Sequence, residues 1–279
     1  MTFNKPKGDV CIIGAGFVGC AAALALNRLG LFIDLVDMRE KVLFEKSDSR
    51  AIVLSHSSKE LLQLLGLWRR IKKESQSIRE IRVSEAGVFG EVSLKAEDAG
   101  LEVLGWSCEA SVLLFELQGL LLKSDRIRTH WDAKVEEFRF EKEWEICYYK
   151  NNQKVKITSD LLLASDGSES TVKKALHMKA NTIDYEQSAL VSTVETQSNA
   201  GDVAYLRFLP KGSLALIPNK AGKFVSIHCL GTEQANKVRK YDDHHFSQFI
   251  RENFGRRLGD FISCSTRKGY PIARSSLEE

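Results

Sequence analysis

Residues 9–19 read Asp-Val-Cys-Ile-Ile-Gly-Ala-Gly-Phe-Val-Gly, and their pattern decides the fold. An apolar, β-branched run stops at Gly14, as in a strand covered on both faces within a parallel sheet. Residues 17–29 then switch to helical patterning, with Ala, Leu and Val on more than one face. Residues 31–36, LFIDLV, return to a strand. Strand, glycine loop, helix and strand make a βαβ unit, right-handed by default.

Gly14-Ala15-Gly16-Phe17-Val18-Gly19 fits G-x-G-x-x-G between that strand and that helix. The three glycines have separate tasks. Gly14 permits the tight turn, Gly16 lets a diphosphate approach the backbone, and Gly19 lets helix and strand pack closely. The anion then meets free N–H groups at the positive end of the helix dipole. Glycine-rich turns also arise for structural reasons alone, but here both flanks are those of a dinucleotide site. Asp37 ends the second strand, 23 positions after Gly14, close to the spacing of about 20 for an acid that binds ribose hydroxyls. A carboxylate there repels a 2′-phosphate, which disfavours NADP in this site and leaves FAD and NAD equal.

Outward from this unit, the pattern predicts a strand at 51–54, an amphipathic helix at 58–68 and antiparallel strands over 79–95 joined near Gly87 or Gly90. A helix at 109–123, short strands within 126–157, a buried strand at 161–164 and a helix at 169–177 follow. Residues 187–230 are strand-rich and 243–258 helical. Two kinds of structure interleave, an α/β part over 1–76 and 108–180 and a sheet-rich part over 77–107 and 181–270.

Composition bounds the function. The chain has 279 residues, 43% apolar and 28% charged, with a net charge of +3, which is ordinary for a globular protein. Its basic clusters lack interleaved aromatics, so no nucleic-acid partner is expected. Six dispersed cysteines without a CxxC pair read as buried free thiols in a reducing compartment. The N-terminus has no apolar signal core, and the longest apolar run near it, residues 20–26, is too short to span a bilayer. A cytoplasmic protein is expected. The six histidines show no metal-ligand spacing, and no nucleophile elbow is present. No metal and no catalytic acid or base is assigned. His244 and His245 read as a solvated helix start. Trp106, Phe89 and Phe208 could line a substrate pocket, but large aromatics in a sheet are more often plain core. No amphipathic membrane anchor is evident.

Residues 160–173, DLLLASDGSESTVK, lead from a buried strand into Asp166-Gly167. Alone, Asp-Gly is a turn. In this setting it resembles the DG motif of the class A flavin-dependent aromatic hydroxylases, and Arg50, in residues 49–54 (SRAIVL), resembles an arginine that lies beside the flavin and its diphosphate in that family. Residues 83–105, 205–218 and 254–273 are similar to the ubiquinone-biosynthesis branch. The resemblance implies a Rossmann-like FAD domain (1–76 and 108–180) with an interleaved antiparallel substrate sheet (77–107 and 181–270), as in para-hydroxybenzoate hydroxylase. It implies FAD held by Gly14, Ala15, Gly16, Phe17, Val18, Gly19, Asp37, Arg50, Asp166 and Gly167, with NAD(P)H as transient co-substrate. Oxygen would react to a flavin C4a-hydroperoxide that hydroxylates a polyprenyl methoxyphenol. Other ubiquinone-biosynthesis proteins would be partners, with at most peripheral contact at the inner face of the membrane.

The sequence departs from the family at three places. Lys173 stands where the motif ends in arginine, keeping the charge but losing the planar fork. Ser111 stands where the branch often has a basic residue. The second flavin-binding GD motif is missing, since Gly259-Asp260 sits in a different context. The chain therefore reads as an N-terminal fragment, truncated within 271–279, inactive alone and expected to keep little FAD. The rival expectations are another FAD or NAD oxidoreductase on the same scaffold, or a flavin-free scaffold subunit of a ubiquinone-biosynthesis complex.

Overall fold

The computed structural model describes residues 7–40, 50–151, 153–220 and 222–277. β1 (Gly8–Ile13), α1 (Phe17–Asn27) and β2 (Ile33–Val36) form the expected βαβ unit. β1 lies at the middle of a six-stranded sheet, parallel to β2 on one side and to the strand Gln153–Ala164 on the other. The chain divides into two compact units. One comprises Met1–Glu45, Leu113–Asn181 and Ser275–Glu279, the other Lys46–Val112 and Thr182–Arg274.

In the first unit an antiparallel meander, Lys134–Phe140 and Trp144–Lys150, extends the sheet beyond Gln153–Ala164. Cys11, Ile13, Val36, Val135, Ile146, Tyr148 and Val172 form an apolar core there. Residues 153–164, read from sequence as the end of one strand and the whole of another, are one continuous strand. Its first half pairs antiparallel with Trp144–Lys150 and its second half parallel with β1. Within β2, Asp34 is fully buried. Arg128 donates to it through Nε at 2.8 Å and a terminal nitrogen at 2.6 Å, and His130 lies 2.7 Å away with Tyr148 on its other ring nitrogen. Buried charges persist when paired and hydrogen-bonded in this way.

The second unit holds an eight-stranded sheet and a three-stranded one. The single helix expected at 58–68 is instead two, His56–Leu64 and Trp68–Lys73. Gly66 takes φ +75°, its N–H reaches the Gln63 carbonyl, and Leu67 N–H reaches that of Leu62. This paired closure is a Schellman stop, which a left-handed glycine permits. The helix expected at 243–258 ends earlier, at Phe254, where Gly255 turns at φ +97°. The hairpin over 79–95 forms as expected, with Glu80–Glu85 antiparallel to Glu91–Lys95. All six cysteines are free; Cys11, Cys20 and Cys108 are buried and the other three half-buried. Trp106 is core, whereas Phe208 is about half exposed and Phe89 wholly exposed.

His228, on the strand Phe224–Gly231, is fully buried and stacks on Phe249 with centroids 5.1 Å apart. Neither ring nitrogen has a hydrogen-bond partner among the described residues. Burial lowers its pKa from 6.5 to about 4. The unfolded chain therefore takes up this proton first. The stability it contributes is complete above about pH 6.5 and is lost as pH falls towards 4, about 3 kcal/mol in all. Urea unfolding followed by circular dichroism should show this loss between those pH values, and His228→Leu should flatten it.

Candidate functional site

Because β1 and Gln153–Ala164 are parallel neighbours, their C-terminal ends open at the same edge. Ser165 N–H donates to the Ile13 carbonyl at 2.7 Å, and its hydroxyl lies 2.9 Å from the carbonyls of both Ile13 and Gly14. A β-carbon on Gly14 would fall 2.5 Å from the Ser165 carbonyl oxygen, and the residue's φ is +100°. One on Gly19 would fall 1.8 Å from the Gly14 carbonyl oxygen. Gly16 is different, since a β-carbon there meets nothing within 4 Å among the described residues. It caps α1 without any side-chain hydrogen bond, and the first turn carries no acidic residue. The orphan N–H groups of a helix start are thus left for a ligand.

Gly14, Gly16, Phe17, Asp37, Arg39, Asp166 and Gly167 line one cavity of about 480 Å³. Ala15 and Gly19 are buried behind it, and Val18 is exposed and does not line it. Asp37 is nearly inaccessible. Its carboxylate accepts the Ala15 N–H at 2.6 Å, the Arg39 backbone N–H at 2.8 Å, and the Arg39 guanidinium fork at 3.0 and 2.8 Å. Burial pushes the Asp37 pKa up, but these donors outweigh it and hold the group ionised below its usual range. The acid expected to face a ribose therefore already has both oxygens engaged. Arg39 was not singled out from sequence, although an arginine two positions past the strand's acid is in reach of it.

Asp166 shows the same balance. Burial raises its pKa, and donors from Ser170, Thr171 and Val172 lower it further than that. One oxygen accepts the Thr171 N–H at 2.6 Å and its hydroxyl at 2.9 Å, while the other, Oδ1, is buried without a partner among the described residues. Gly167 turns at φ +85°. Lys173 donates through Nζ to the Ser168 carbonyl at 3.2 Å, within its own turn. Gln118, also missed from sequence, donates to the Ala15 carbonyl at 3.3 Å.

Arg50 belongs to the second unit. It precedes the strand Ala51–Leu54, its carbonyl accepts the Ala110 N–H, and its guanidinium lies over the Tyr270 ring at 5.1 Å. Ser49 lies outside the described residues. Asp242, His244 and His245 bring ligand-type atoms within 4.8 Å of one another. Asp242, however, is the cap of the helix Asp243–Phe254 and accepts both the His245 N–H and its ring nitrogen.

An uncapped helix start beside a bare glycine, one carboxylate at the strand end and an orphaned buried carboxylate oxygen together fit the ADP portion of a dinucleotide and its polar linker. Residues 7–267 match the FAD binding domain family, and the chain belongs to it. It is 27% identical over 271 residues to the ubiquinone hydroxylase UbiL of Rhodospirillum rubrum, covering 95% of this chain and 61% of that protein. To the ubiquinone hydroxylase UbiM of Neisseria meningitidis it is 24% identical over 277 residues, covering 97% and 60%. The chain thus spans about three-fifths of these relatives' length. The crystal structure of p-nitrophenol 4-monooxygenase PnpA from Pseudomonas putida superposes with a TM-score of 0.77 at 15% identity, over 97% of this chain and 69% of that one, which shows a common fold.

The two glycines should part company on substitution. Gly19→Ala must displace the Gly14 loop and should cost about 1–3 kcal/mol. That lowers the thermal midpoint by about 2–4 °C for each kcal/mol in a chain near this size. Gly16→Val has open space and should melt within about a degree of the parent. Differential scanning calorimetry checks both.

Proposed function

We propose that this chain is the cofactor-holding portion of an FAD-dependent aromatic hydroxylase of ubiquinone biosynthesis, acting on the ring of a polyprenyl methoxyphenol with O₂ and NAD(P)H. The names of the relatives support the reaction class, and the open start of α1 above Asp37 and Asp166 carries the reading. Bound flavin, reduced by a nicotinamide that docks transiently, would supply the activation of oxygen. The chain's own residues would bind and orient it. The bare backbone at Gly14 to Gly16 and the first-turn amides of Phe17, Val18 and Gly19 would take the diphosphate, with Ala15 holding Asp37 in place. Asp37 would accept ribose hydroxyls, and Asp166 Oδ1 would accept a donor from the cofactor, with Gly167 allowing the turn that presents it. The place of Arg50 beside the flavin rests on the family resemblance. A very apolar substrate tail favours a cytoplasmic protein that touches the inner membrane surface, alone or with other proteins of the pathway; among the described residues no helix is long and apolar enough to cross a membrane.

A second reading, a flavin-free scaffold subunit, draws on one observation: the Asp37 carboxylate is filled by Arg39. Titration of FAD into the chain, read by quenching of flavin fluorescence, separates the two. Uptake from excess FAD is expected, with Gly16→Val and Asp37→Ala each weakening it at least about tenfold, the worth of one or two charge-assisted hydrogen bonds. Little FAD should survive purification of the chain by itself. No uptake at all from excess flavin would leave the scaffold reading standing.

A further inference from the structure

The hairpin Glu80–Glu85 and Glu91–Lys95 forms one end of the eight-stranded sheet, with Glu91–Lys95 as its edge strand. Gly87 and Gly90, at φ +82° and +102°, shape its tip. Between them Val88 is exposed and Phe89 is bare of any packing, while Val92 and Leu94 are exposed along the edge strand. Single exposed apolar residues are ordinary. Four on one hairpin, with an aromatic at its apex, mark a surface that meets something apolar.

Beside the tip is a cavity of about 390 Å³ that Phe89 itself helps to line. Tyr205 and Phe254 lie in it, edge to face with centroids 5.4 Å apart. Its charged groups are Arg207, Arg256 and Arg257 against a single acid, Glu91, which pairs with Arg257. Arg207 donates to the Ser84 hydroxyl at 3.2 Å, yet its Nε is buried with no partner among the described residues. A buried guanidinium N–H in that state needs an acceptor, and a planar fork of arginines selects phosphate or carboxylate oxygens.

We propose that the hairpin tip and this arginine cavity form a membrane-docking surface: Val88 and Phe89 enter the interface of a bilayer, and the cavity takes the phosphate of an anionic phospholipid. An apolar apex next to cationic groups is the arrangement that interfacial binding requires. Free phosphate would satisfy the arginines but leaves the bare aromatic beside them without a purpose. The surface gives a location to the membrane contact proposed above. Its test involves no flavin, so either proposal can fail while the other stands.

Sedimentation of the chain with vesicles of phosphatidylglycerol and phosphatidylcholine, and with vesicles of phosphatidylcholine alone, decides it. Binding is expected to the anionic vesicles only, weakened by salt. Phe89→Ser and Arg256→Glu should each lower the partition coefficient about tenfold, with circular dichroism and melting unchanged since both side chains are exposed. Equal binding by folded Phe89→Ser and Arg256→Glu would overturn the proposal, as would failure of the parent chain to sediment with anionic vesicles. Complete release by excess inorganic phosphate, with Phe89→Ser behaving as the parent, would reveal a soluble-anion site and overturn it equally.

Discussion

The backbone of Gly14 lies against the Ser165 carbonyl with no room for a β-carbon, and the candidate site at that end of the first unit depends on the approach. The two residues are 151 positions apart, 165 minus 14, so the contact must be made by sheet pairing rather than by any local turn. The strand Gln153–Ala164 makes it. Its antiparallel half is set by the hairpin with Trp144–Lys150, and its parallel half runs alongside β1 to the last pair, Ile13 with Ala164. The hairpin supplies local register, which fixes the non-local pairing that brings Asp166 to the glycine loop. Gly19 then closes α1 onto the same loop, and two backbones meet where side chains would keep them apart.

Behind this edge the sheet is stiffened by charge. Asp34 is fully buried, and burial alone would raise its pKa, but hydrogen bonds from His130 and Arg128 outweigh that and keep it ionised. The network ties β2 to the strand Ile127–His130, whose last carbonyl accepts the Asp37 N–H at 2.9 Å, and the Asp37 carbonyl in turn accepts the Ala133 N–H at 3.0 Å. The position of Asp37 is therefore set from below by a paired charge rather than by the loop it sits in. Removing Arg128 would leave the buried Asp34 carboxylate with only the His130 contact and without its guanidinium fork, the costly way to break such a pair.

The βαβ unit was legible because its signals are local: a β-branched run, a glycine loop, and an acid at the next strand end. The DG turn and the hairpin at 79–95 were legible for the same reason. Boundaries that depend on backbone hand were not. Gly66 inside an amphipathic run splits one expected helix into two, because the apolar period continues across the stop. Strand continuity over 153–164 was hidden since the burial pattern changes where the partner changes from antiparallel to parallel. Arg39 and Gln118 act on the site through single side chains that no spacing rule picks out. Phe89, counted from sequence among pocket or core aromatics, sits on a turn between two left-handed glycines, and a hairpin apex carries no helical period by which an anchor would be sought.

The Asp37–Arg39 fork bears on how such a site fills. Arg39 is the more exposed partner, with about 60% of its side chain in solvent, so the pair is partly screened, yet its guanidinium hydrogen bond is the largest of the influences that lower the Asp37 pKa. The Ala15 and Arg39 backbone N–H groups hold the carboxylate independently of the guanidinium. If a ribose edge docks at Asp37 as proposed, it would have to displace this fork, while the acid would keep its two backbone donors. On that proposal the fork would keep the acid satisfied before loading and give way only to a matched pair of donors.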